Sequence, residues 1–191
     1  NQMAFYAVPM TIAPMWLAEG MAQYQAPNMD YDRWDTHRDM LIRTAILGDN
    51  LHSFAEMGVF GKNSIGNERT YNAGYALTRY IAHQWGEESL RELADNMSRP
   101  QRFTINGSIK AVTGLSSTEL YAQWKTRLQT YYDKRLSRIH DHRVEGKLIT
   151  KQGIGNIAPA WSPDGRYIAF CASDNSDYLT LTSLKLYDTE T

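Results

Sequence analysis

The stretch Ala160-Trp161-Ser162-Pro163-Asp164-Gly165-Arg166-Tyr167-Ile168-Ala169-Phe170 decides how the C-terminal part of the chain is read. Proline pre-sets φ, and glycine accepts positive φ without steric cost, so Pro163-Asp164-Gly165 reads as a tight turn. The β-branched and aromatic residues that follow read as a strand, which makes a hairpin. Downstream, the polar run Ser173 to Asp177 is a second turn. Leu179, Leu181, Leu184, Leu186 and Tyr187 then give strand-like patterning around a small irregularity. Residues 158–191 are therefore expected to form most of a four-stranded sheet. A single sheet of this size cannot bury both faces, so further sheets are expected to follow Thr191.

Upstream of the sheet, residues 140–157 are polar with scattered glycines and one short apolar pair, Leu148-Ile149, and read as a linker. Residues 1–139 have helical periodicity instead. After Pro14, Trp16, Gly20 and Tyr24 share one helix face at i, i+4 spacing. Asp35 or Thr36 can cap a second helix carrying Met40, Leu41 and Ala45, ended by Gly48. Leu51 to Gly66, interrupted by glycine and asparagine, reads as loop. From Asn67, the stripe Tyr71, Gly74, Tyr75, Thr78, Ile81 and Trp85 predicts a helix that Gly86 terminates, with another from Glu87 and Glu88 ending before Pro100. Thr104 to Thr113 predicts a short helix closed by Gly114. Ser116 with Glu119 then forms a capping box for a long helix through Leu120, Trp124, Leu128 and Tyr131, ending near Arg138. The fold class expected is α+β multidomain: a mainly α-helical segment, then an all-β sheet, with both parts incomplete.

Composition narrows the function. With 20 basic and 21 acidic residues interspersed and a formal net charge of −1, the chain offers no field that would gather nucleic acid or anionic lipid. The apolar run Met3 to Ala18 is broken by Pro9, Thr11 and Pro14, so membrane insertion is not expected, and it lacks the basic start of a signal peptide. Cys171, the single cysteine, sits in a strand where a small buried hydrophobe is the expected role.

Trp161 to Phe170 closely resembles the repeat of Tol-type WD-like β-propellers, in which a Trp-Ser-Pro-Asp-Gly turn leads into an Ile-Ala-Phe strand. The resemblance covers about a sixth of the chain and implies a first propeller blade that binds protein or limits access to a site. Pro14-Met15-Trp16-Leu17-Ala18-Glu19-Gly20-Met21-Ala22-Gln23-Tyr24 is similar to the Trp-Leu-x-Glu-Gly-x-Ala-x-Tyr helix of gluzincin-type zinc metallopeptidases. Tyr71 to Tyr75, Arg79-Tyr80-Ile81, Trp85 to Leu90, Thr113 to Leu115 and Trp124 look like the helical tail of the same family. This combined resemblance, over residues 14 to 132, implies that Glu19 is a zinc ligand in a peptidase of periplasmic or extracellular location, acting on peptide or protein substrates.

One departure is decisive. The family's His-Glu-x-x-His helix, which supplies two imidazoles and the general base, occurs nowhere in the sequence. A catalytic zinc keeps three protein ligands plus water, so Glu19 alone can neither hold the metal nor activate water. This polypeptide alone is thus expected to hold no cofactor and to be inactive. Zinc is expected in a parent protein whose upstream part carries the histidines. The alternative is a non-enzymatic envelope scaffold in which a degenerate peptidase-like domain and a propeller bind protein partners.

The remaining candidates have simpler explanations. Trp16 and Tyr24 suit core packing. A hydroxyl of Tyr71 or Tyr75 could stabilise an oxyanion, but an aromatic helical stripe is ordinarily core, so no catalytic residue is assigned. His37, His52 and His83 are isolated, and His140-Asp141-His142 reads as a solvated hinge. Glycines near Asn63 lack the strand, helix and lysine of a phosphate loop. Trp16 and the Tyr71/Tyr75/Trp85 stripe are expected to be buried, and Glu19 to sit in a concave, partly open place.

Overall fold

A computed structural model describes residues 13–25, 36–61, 64–99, 104–153, 155–174 and 181–190. These divide into two compact units, one ending at His140 and the other beginning at Asp141. The fold is α+β: helices first, then a C-terminal antiparallel sheet. The described helices are α1 (Met15–Gln25), α2 (Thr36–Leu47), α3 (Phe54–Met57), α4 (Ser64–Trp85), α5 (Glu88–Met97), α6 (Ile105–Thr113) and α7 (Ser117–His140). None of them is long and apolar enough to cross a membrane. Most of Met3–Ala18, the proposed cap Asp35, and Tyr178 and Leu179 lie outside the described residues.

Most helix ends follow the local chemistry of their sequence. Thr104 adopts extended backbone and its side chain accepts from the amide of Gly107, capping α6, which Gly114 closes at φ 78°. Ser116 Oγ accepts from the Glu119 amide, while the Glu119 carboxylate accepts from the Ser116 amide, the reciprocal box that starts α7. Gly86 ends α4 at φ 88°. The expected loop at Leu51–Gly66 needs correction. It contains the one-turn helix α3, opened by a capping box between Ser53 and Glu56, and α4 begins at Ser64. Buried Gly66 is taken into α4, where Thr70 Oγ1 donates back to its carbonyl.

The helical core is built around α4, with Trp16, Leu17, Met57, Leu77, Ile81, Leu90, Leu93, Ile109, Leu120 and Trp124 all buried in one cluster. An aromatic series of tilted and edge-on pairs runs from Trp16 through Phe54 and Tyr121 to Trp124. The C-terminal part of α7 is fastened to α2 where the buried Tyr132 hydroxyl donates to Asp39 at 3.1 Å, and Arg43 holds the other oxygen of that carboxylate.

In the second unit, β1 (Asn156–Trp161), β2 (Tyr167–Ala172) and β3 (Ser183–Asp188) form an antiparallel sheet in the order β1-β2-β3. Among the described residues the sheet has three strands. Ala160 pairs Ala169 and Ile157 pairs Cys171, so Ala158 and Pro159 together oppose Phe170; this is a β-bulge, with Ala158 at φ 52°. Pro159 is tolerated because β1 is an edge strand. The hairpin turn closes with Gly165 at φ 74°, Gly165 N donating to Ser162 O, and Ser162 N donating to Tyr167 O.

The sheet has apolar residues on both faces. Trp161, Ile168, Phe170, Ala172 and Tyr187 share one face by register, and Ile157, Ala160, Ala169, Cys171, Leu184 and Leu186 share the other. Ile157, Trp161, Leu184 and Leu186 are all more than half exposed within the chain.

Candidate functional site

α1 sits on α4 at backbone contact. Pro14 opens α1, its carbonyl accepting from Leu17 and Ala18, and Trp16, Leu17 and Gly20 face inward. A Cβ built on Gly20 would lie 2.6 Å from the carbonyl carbon of Gly74, and one on Gly74 would lie 3.0 Å from Trp16 Cα. Only hydrogen fits at either position, so the two glycines set the helix separation. Glu19, the residue before Gly20, is half-buried at the flank of this crossing.

One turn after Glu19 on the same helix stripe stands Gln23. Its Oε1 accepts from Arg38 Nη1 at 2.6 Å; that guanidinium, from α2, also reaches Asn72 Oδ1 at 3.5 Å and lies 5.9 Å from the centre of the Tyr75 ring. Asn72 is buried and returns its amide nitrogen to the Glu68 carbonyl at 2.7 Å and to the Glu68 carboxylate at 3.4 Å. A polar chain thus runs Glu68, Asn72, Arg38, Gln23 through three helices. Because guanidinium nitrogens only donate, the atoms facing Arg38 must be amide oxygens, which fixes the orientation of both amides.

The aromatic expectations divide. Trp16 is fully buried and Tyr75 is 8% exposed. Tyr71 and Trp85 are only half-buried, contrary to the reading of one uniform stripe. Tyr71 stacks on Phe60 of the preceding segment, and Trp85 meets Tyr80 edge-on in the last turn of α4. Tyr24 is half-buried against the core and its hydroxyl donates to Glu87.

The histidines are dispersed. His52 pairs with the Gly66 carbonyl at 3.0 Å, His83 is exposed beside Gln84, and His37, His140 and His142 are exposed. Cys171 is a half-buried free thiol in β2. Among the described residues no three His, Cys, Asp or Glu side chains come together in a way that could hold a metal ion. Glu19 therefore offers one carboxylate, and the described residues do not by themselves fit a catalytic zinc, which needs three protein ligands.

Sequence reasoning singled out Glu19 but missed Gln23, Arg38 and Asn72. Only the i, i+4 spacing of Glu19 and Gln23 was visible in the sequence. Comparison with protein-family models, with curated proteins and with solved structures gives no match to this chain.

Proposed function

We propose that the helical unit is the C-terminal helical part of a gluzincin-type zinc metallopeptidase domain, and the sheet the first blade of a Tol-type β-propeller, in a secreted or periplasmic protein that hydrolyses peptide bonds. The observation that carries the reading is the placement of Glu19. It lies half-exposed beside a glycine-to-glycine crossing of the helix with the Trp-Leu-x-Glu-Gly pattern and the helix with the Tyr71–Ile81 pattern, next to a fixed polar chain. In this reading Glu19 is the third metal ligand, and the two imidazoles and general base come from sequence preceding Asn1. The metal, when bound, supplies activated water. The apolar faces of the sheet fit stacking between neighbouring blades, with the propeller serving protein docking or access control.

The test is elemental mass spectrometry on the intact parent protein, beside Glu19→Gln and a peptide-cleavage assay. Stoichiometric zinc and cleavage, both lost in the variant, are expected. A metal-free, folded, inactive parent overturns the peptidase reading and leaves a non-enzymatic scaffold. That second reading draws on the absence of His-Glu-x-x-His from the sequence and on the large exposed apolar residues of the sheet.

A further inference from the structure

We draw no further inference here: the strongest candidate, the exposed apolar face of the C-terminal sheet on which Ile157, Leu184 and Leu186 stand by register, carries nothing because nothing in the structure shows what covers it.

Discussion

Replacing Gly20 by alanine tests the helix crossing that places Glu19, and two effects oppose each other. In a free helix the change stabilises by about 1 kcal/mol, because glycine is the poorer helix former. Here the new Cβ would sit 2.6 Å from the Gly74 carbonyl carbon, with the Gly74 carbonyl oxygen and Thr78 Oγ1 closer still, where ordinary contact begins at 3.4 Å, so α1 must retreat by at least the difference of about 0.8 Å. The obstacle is the backbone of α4, which cannot rotate away as a side chain could. The retreat loosens Trp16 and Leu17, which are 0% and 1% exposed, and a gap of this size forfeits roughly a quarter to a half of each dispersion contact. Overpacking of this kind costs about 3 kcal/mol at the upper end of its range, leaving a net loss of about 2 kcal/mol after the propensity gain. For a unit of this size that corresponds to a melting temperature lower by roughly 7 °C. The assay is thermal unfolding followed by far-ultraviolet circular dichroism. A Gly20→Ala protein that melts at or above the parent temperature refutes the packing argument. Gly74→Ala is expected to behave alike, and the double variant to cost less than the sum, since one retreat relieves both clashes.

Other outcomes follow from single contacts. Ser116→Ala removes the side-chain half of the α7 capping box and should cost about 1 kcal/mol, read as a lower urea midpoint. Tyr132→Phe deletes the bond to Asp39 and should cost about 1 kcal/mol, since Arg43 still holds the carboxylate. Burial first, and then the charge of Asp39, raise the Tyr132 hydroxyl above its ordinary value of 10.0. A group raised in the folded state contributes its full stabilisation below the unfolded value and loses it as pH climbs past that value. The wild-type urea midpoint should thus fall more between about pH 9 and about pH 11 than that of Tyr132→Phe. Equal falls would show that Tyr132 is not the titrating group.

The helix termini were legible because capping is local. Thr104, Gly114, Ser116 with Glu119, and Gly86 each act within four residues of their own position. The α3 turn is equally local, set by the capping box of Ser53 with Glu56, but a single helical turn among glycines is too short to show a helical period. The strands of the hairpin were legible from turn chemistry, whereas the bulge opposite Phe170 was not, because it depends on the register of two strands. The stripe on α4 marked a buried face but not its margins: Tyr71 and Trp85 sit where neighbouring segments cover them only partly. Least legible was the chain from Glu68 to Gln23. It joins residues 34 and 15 positions away from Arg38, and no periodicity encodes a bond between three helices.

The seating of α1 on α4 has a kinetic side. The glycine pair joins residues more than fifty positions apart, and the bond from Tyr132 to Asp39 spans 93. Helical proteins usually fold quickly because their contacts are close in sequence. Here α1 finds no floor until α4 is in place, and α2 has no clasp until most of α7 exists. Large loops must close before burial compensates for their lost entropy, which places the helical unit among slower-folding helical architectures. While it waits, Trp16 is an exposed apolar side chain that a holding chaperone could cover, and seating it would be a late step of folding.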